Sequence, residues 1–236
     1  MPSKGGFRPA NRVRVSDDVF EQLAAAVLSG ELPPGSALPS ERILAERLAT
    51  TRILVRQAVH RLADLGLVRV KQGGATLVLD PDQAADVRAI ELYYQHRQHG
   101  RSRLPLADIV EKRLLQGLSL VELASHRASA AQRAALVACV ERWAGSPDPE
   151  AAWDAFDEEF WKLVAEAGHN RIFRMEMAWW YRVFADRQPL AEVDPPAALA
   201  GRIVFYRELV RRLAAREGAT AYYLAVVSPL LAARRS

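Results

Sequence analysis

The apolar positions of this chain follow two kinds of pattern. From Asp17 to Ser29 (DDVFEQLAAAVLS), Val19, Leu23, Ala26 and Val27 recur on one helical stripe, which predicts a helix closed by Gly30. LPPGSALP follows as a kinked connector. Ser40 then stands as the cap of a second helix, SERILAERLA, with Glu41 in its first turn, where the helix dipole favours a carboxylate. After Ala49-Thr50-Thr51, with Thr51 as N-cap, the stripe Val55, Ala58, Val59, Leu62 and Leu65 predicts a third helix ending at Gly66. The pattern then changes to two short β-like runs, LVRV at 67–70 and ATLVL at 75–79, separated by the hairpin signal Lys71-Gln72-Gly73-Gly74. Helix, helix, turn, helix and hairpin in that order make a winged helix-turn-helix, predicted over residues 16–80.

Asp80-Pro81-Asp82 reads as a boundary. Everything beyond it has helical periodicity, with helices expected near 83–99, 105–127, 130–144, 149–167, 170–187, 197–216 and 218–234. The breaks fall at Gly100, Ser129, Ser146-Pro147, Gly168, Pro189 to Pro196, and Gly218. The fold expected is therefore mainly α: an N-terminal winged helix-turn-helix followed by an antiparallel all-α helical bundle over 83–236. Residues 1–15 (MPSKGGFRPANRVRV) read as a flexible basic arm.

Composition changes this picture in one respect. The net charge of the 236 residues is only +4, a mild excess that does not by itself indicate a nucleic-acid partner. Its distribution is more telling. Residues 1–80 carry 11 Lys+Arg against 8 Asp+Glu, whereas residues 81–236 carry 21 against 20. The surplus sits on the small N-terminal part, as a DNA-binding head requires. The cations are nearly all Arg, which suits bidentate contacts to guanine or phosphate. Cys139 is the sole cysteine, so no intrachain disulfide forms, which fits a reducing compartment. The N-terminus lacks the apolar run of a signal peptide, and no segment has the roughly 18 consecutive apolar residues of a membrane span. The expectation is a cytoplasmic protein.

The third helix carries the sharpest chemistry. Arg52 and Arg56 stand four residues apart and point the same way, at the end where the helix dipole is already positive. A recognition helix enters the major groove N-terminus first, and cations in its first two turns meet phosphates and base edges. Arg52 and Arg56 are placed for that role, or else form a solvated helix face. Thr51 can cap the helix and still offer its hydroxyl to a phosphate. Arg42 is in reach of the flanking backbone, and Gln72 and Gly73 form a wing tip slim enough to approach the minor groove.

These residues carry a resemblance. LPPGSALPSERILAERLATTRILVRQAVHRLADLGLVRVKQGG is similar to the DNA-binding domain of the GntR family of bacterial transcription regulators, over about 65 residues. The match includes Pro34-Gly35, Leu38-Pro39-Ser40-Glu41-Arg42, Arg52, Val55-Arg56, Gly66-Leu67 and Gln72-Gly73. The resemblance implies that Arg42, Thr51, Arg52, Arg56 and the wing tip contact operator DNA. Ile53 and Leu54 depart from the family, which usually has small hydroxylated residues there. Apolar side chains at these positions can press on thymine methyls instead.

The C-terminal region resembles the effector domain of the FadR subfamily, through ADIVEKRLLQGLSLVELASHRAS and WDAFDEEFWKLVAEAGHNRIF. The resemblance implies a dimer and a small ligand held in the bundle. Many members hold a metal ion there with one Asp and three His, but here Trp161, Tyr206 and a position near Ser228 stand where those histidines would be. No metal is expected. In this the chain is similar to the acyl-CoA-responsive branch of the subfamily, so an acyl-CoA effector is one expectation. Another is a small organic acid anchored by Arg113, a cation amid apolar neighbours that suits either a ligand carboxylate or a structural salt bridge. Trp161 and Tyr206 either stack on a ligand or fill the vacated space, and Tyr222 is a further candidate. Of Trp179, Trp180 and Tyr181, one or two are expected at a helix-helix or dimer interface.

Three other groups point elsewhere. His96 and His99 have helical metal spacing but read as a solvated face; adjacent Asp157, Glu158 and Glu159 diverge around their helix; and Cys139 reads as a core thiol. No catalytic set is assembled, so no enzyme is expected. The function expected is a dimeric, ligand-responsive repressor on a pseudo-palindromic operator. A ligand-free helical interaction module is the alternative.

Overall fold

The computed structural model describes residues 12–71, 74–97, 106–184 and 199–232, and they form two compact units, Met1–Leu104 and Pro105–Ser236. In the first, helix α1 (Arg12–Leu28) packs across α3 (Arg52–Asp64), with α2 (Glu41–Arg47) beside it. Most positions of the predicted stripes supply the core: Val19, Leu23 and Val27 of α1 meet Val55, Ala58, Val59 and Leu62 of α3, whereas Ala26 and Leu65 are only partly buried. Ser40 and Thr51 are the caps, accepting from the N–H groups of Ile43 and Leu54. Ala49 makes the turn between α2 and α3 at a φ of 47°, a left-handed conformation that a residue with a Cβ adopts at a cost.

Gly66 ends α3 at a φ of 71°, and a Cβ there would lie 2.0 Å from the Ala84 carbonyl oxygen, so only glycine fits. The wing is a minimal sheet. β1 (Val68–Arg69) pairs antiparallel with β2 (Leu77–Val78) in the register Val68↔Val78, and Ala37 bridges Leu77 on the other side.

Three expectations change here. α1 starts at Arg12, so Arg12 and Arg14 are helical and not part of an arm, while residues 1–11 lie outside the described residues. The helix expected over 83–99 is two, α4 (Pro81–Ala84) and α5 (Ala89–Arg97). Asp86 divides them, its Oδ1 accepting from the Arg88 N–H at 2.9 Å. Finally, the N-terminal unit does not stop at Asp80. It continues through α5, because Ala89 and Leu92 are buried in its core.

The second unit is helical throughout its described residues: α6 (Leu106–Arg127), α7 (Ala130–Ala144), α8 (Trp153–Ala167), α9 (Arg171–Phe184), α10 (Leu199–Ala215) and α11 (Ala219–Ala232). Ser129 starts α7 with a capping box closed by Gln132. α8 packs against α6, α7 and α9, α10 against α7, and α11 against α6. Gly117 lets α6 and α11 approach closely, since a Cβ there would lie 2.2 Å from the Tyr223 hydroxyl. No helix among the described residues is long and apolar enough to cross a membrane.

Candidate functional site

The exposed front of α3 follows from its helical period. Val55, Ala58, Val59 and Leu62 are buried, and Arg52, Ile53, Arg56, Gln57 and His60 are left exposed. Ile53 is 71% exposed, the most exposed of the large apolar side chains among the described residues. The Thr51 oxygen accepts from the Leu54 N–H at 3.4 Å, which leaves its own O–H to donate outward. Arg42, exposed on α2, pairs with Glu46 at 2.7 Å. Thr51, Arg52 and Arg56 thus come together at the start of one helix, with Arg42 on the helix before it. Gln72 and Gly73 lie outside the described residues.

One residue of this surface was not among the sequence candidates. Glu41 takes Arg56 side-on: Nε donates to Oε1 at 3.0 Å and to Oε2 at 3.2 Å, and Nη2 donates to Oε2 at 2.8 Å. The Arg56 hydrogen bonds, with the charges of Arg56, His60 and Arg52, hold the Glu41 carboxyl below its ordinary pKa. The pairing spans 15 residues and two helices. Helical spacing within one element gives no sign of it.

In the C-terminal unit the expected ligand residues are packed among protein groups. Arg113 is buried; its Nη2 donates to the Tyr181 hydroxyl at 3.2 Å and lies 3.8 Å from Asp157 Oδ2. Its guanidinium carbon stands 4.6 Å from the centre of the Trp161 ring. Tyr181 in turn donates to Asp157 Oδ2 at 2.5 Å. Burial pushes the Asp157 carboxyl up, against the pull of Arg113, Tyr181 and the Trp161 N–H. Asp157 therefore belongs to a buried polar cluster, whereas Glu158 pairs with Lys162, and Glu159 with Arg142 at 2.6 Å.

Tyr206 fills space: it is fully buried, edge-on to Phe160 at 4.8 Å and to Phe156 at 5.0 Å. Trp161 is buried too, against Phe160 and Tyr223, while Ser228 is exposed. An indole, a phenol packed among rings and an outward hydroxyl do not fit a metal held by imidazoles. Tyr222 stacks on Phe205 at 5.8 Å beside an apolar groove of about 390 Å³ formed with Ala200, Gly201, Val204 and Val226. Trp180 and Tyr181 are buried and Trp179 is partly exposed, as divergence around a helix requires.

Burial pushes the Cys139 thiol up to about 11, as for an unreactive core thiol. His96 departs from expectation: it is buried, not solvated, with Nε2 3.0 Å from Glu21 Oε2 of α1. His99 lies outside the described residues.

Comparison with known proteins agrees with both units. Residues 15–78 match the bacterial regulatory proteins of the gntR family, and residues 108–226 match the FCD domain. An HTH-type transcriptional regulator of Mycobacterium tuberculosis, Rv0494, is 32% identical over 80% of this chain and 76% of its own length. The HTH-type transcriptional regulator Mce2R of the same species is 35% identical over 72% and 70%. The HTH-type transcriptional repressor NanR of Salmonella newport is 32% identical over 70% and 63%. These relatives are transcription regulators and not enzymes. A winged helix-turn-helix with a cationic recognition helix, followed by an FCD helical unit, makes this chain a member of the GntR family of DNA-binding transcription regulators, of the FadR type.

Proposed function

We propose that this regulator is a dimeric repressor that reads a pseudo-palindromic operator with the first two turns of α3 and releases it when a small anionic effector enters its C-terminal unit. The observation that carries the DNA half is the exposed front of α3, where Thr51, Arg52, Ile53 and Arg56 stand together on a helix whose other face is core. Arg52 and Arg56 supply charge-assisted donors to guanine or phosphate, Thr51 a donor to phosphate, and Ile53 an apolar surface for a thymine methyl. Arg42 and the wing tip at Gln72 and Gly73 complete the contact set. Repression is the activity named for NanR.

The dimer is supported by α9 and α6. Ile172 and Met175 on the outer side of α9 are 63% and 61% exposed, and Leu115 on α6 is 43% exposed. Three large apolar side chains outside the core suit burial against a second copy. The effector class is supported by Arg113, a buried cation on a central helix that donates to Tyr181 and lies 3.8 Å from Asp157 Oδ2. A ligand carboxylate can compete with Asp157 for that guanidinium. Linkage then requires operator DNA to weaken the effector as much as the effector weakens DNA.

The test begins with a duplex selected from random sequence by the full-length protein. Arg52→Ala and Arg56→Ala should each weaken its binding roughly 10-fold or more, the reach of one bidentate contact, with the dimer intact by sedimentation. Unchanged affinity in both variants overturns the DNA half. Native mass spectrometry of gently purified protein checks the effector. A bound small acid supports Arg113, whereas a bound acyl-CoA or a ligand-free dimer overturns it.

A further inference from the structure

We infer that Glu41 is a positioning residue for sequence readout: its carboxylate holds the Arg56 guanidinium side-on, so that the end-on edge is presented to a guanine. The inference rests on the proposed DNA-reading face and adds a division of labour within it. A guanidinium has five N–H donors in a rigid fork. Glu41 engages Nε and one N–H of Nη2, at 2.8–3.2 Å. The edge formed by Nη1 and the second N–H of Nη2 stays open, and that edge has the spacing of guanine O6 and N7. An arginine otherwise keeps several rotamers, and fixing it before binding removes part of the entropy cost of the contact.

The pair is solvent-accessible, with side-chain exposures of 63% for Arg56 and 34% for Glu41. A pair so exposed adds little to fold stability, so holding the head together does not account for it. Its position does: Glu41 lies at the start of α2, facing Arg56, His60 and Arg52.

The carboxylate has a second consequence. A negative charge on a DNA-facing surface opposes binding to every sequence alike. Glu41 therefore lowers non-specific affinity while it sharpens one specific contact. Arg52, exposed at the same end of α3, forms no ion pair among the described residues. It is the cation left for phosphate. In this division Arg52→Ala flattens the salt dependence of operator binding by about one counterion, and Arg56→Ala by clearly less.

The experiment uses the full-length protein and three duplexes: the selected operator, the operator with single base-pair changes, and an unrelated sequence. Arg56→Ala identifies the base pair at which discrimination is lost. Glu41→Ala should then lose discrimination roughly 10-fold at that same pair, while its affinity for the unrelated duplex stays equal or rises. Retained binding to the unrelated duplex also shows that the variant is folded. Glu41→Gln, with one acceptor left, should fall between. The inference is overturned if Glu41→Ala keeps wild-type discrimination at that base pair, or if it weakens all duplexes in step. Failure of the underlying DNA reading is a different result: Arg52→Ala and Arg56→Ala then bind the operator as tightly as the native protein.

Discussion

Arg56 in the head and Arg113 in the C-terminal unit are both arginines set opposite a carboxylate, yet they stand in opposite surroundings. Arg56 meets Glu41 at 2.8 Å with 63% of its side chain exposed. Arg113 meets Asp157 at 3.8 Å with 8% exposed, beneath the Trp161 ring. In water a charge pair gains little and costs little, so the head can use one to aim a side chain without staking its fold on it. In the interior both charges have lost their hydration, and each depends on the other and on Tyr181. On the proposed reading, the same residue type is a pointer in one unit and, in the other, a buried cation tied to Asp157 and Tyr181 until a ligand carboxylate competes for it.

The largest effect should come from breaking the tie. Arg113→Ala leaves the Asp157 carboxylate buried without its cation, and should cost about 3–5 kcal/mol in denaturant unfolding. Pairing Arg113→Met with Asp157→Leu should restore most of that, since removing both charges removes the desolvation penalty. Arg56→Ala should leave the unfolding midpoint in place. If Arg113→Ala were as mild as Arg56→Ala, the contrast between the two pairs would collapse.

The head has a fixed point of its own, but it is steric. Gly66→Ala drives a Cβ to 2.0 Å from the Ala84 carbonyl oxygen and forces a left-handed backbone on alanine. A loss of about 3 kcal/mol is expected by the same denaturant measurement, since α3 and the segment carrying α4 must separate. A stable Gly66→Ala variant would mean that this segment is held less firmly than its hydrogen bonds, such as Asp86 N–H to Leu65 C=O at 2.9 Å, imply.

How far the sequence was legible follows the same division. Elements with local causes could be read directly: the caps Ser40 and Thr51, the stop at Gly66, the apolar stripes of α1 and α3, and the helix breaks at Ser129, Gly168 and Gly218. The interruption at residues 85–88 had no Gly or Pro to announce it; an Asp86 side chain bonded to the backbone two residues on makes it. His96 looked solvated because its own neighbours are polar, and the α1 residue that meets it, Glu21, is 75 positions earlier. Glu41 was legible as a favourable first-turn charge, but its partner lies across the turn between helices. Arg113 was legible as a cation among apolar residues, while Tyr181, 68 residues away, was recognisable only as one of three adjacent aromatics. Periodicity reports which face a side chain occupies. Pairing across elements depends on how the elements pack, and no local pattern encodes that.

A smaller effect tests whether the head reads bases with more than charge. Ile53, 71% exposed beside Arg52 and Arg56, has no folded-state reason to be apolar. Ile53→Ser should leave stability unchanged. It should weaken binding by about 1 kcal/mol on operators with a thymine opposite that residue, and not on those where uracil removes the methyl. Equal weakening on both duplexes would return specificity to the arginines alone.

The smallest expected change concerns the turn that sets α3 against α2, and so sets Arg56 against Glu41. Ala49 holds a φ of 47°, where a Cβ crowds its own backbone. Glycine removes that strain, worth roughly 1–2 kcal/mol, but loses about 0.5–1 kcal/mol to the greater freedom of the unfolded chain. Ala49→Gly should therefore stabilise the head by a net amount near 0.5 kcal/mol, seen as a small rise in melting temperature. Its effect on DNA is the sharper readout. If the turn merely connects two helices, operator discrimination is unchanged. If its rigidity keeps Glu41 in register with Arg56, the same substitution that raises the melting temperature lowers discrimination at the Arg56 base pair. Stability and specificity would then move in opposite directions, as expected when strain at a turn serves the placement of a side chain and not the fold.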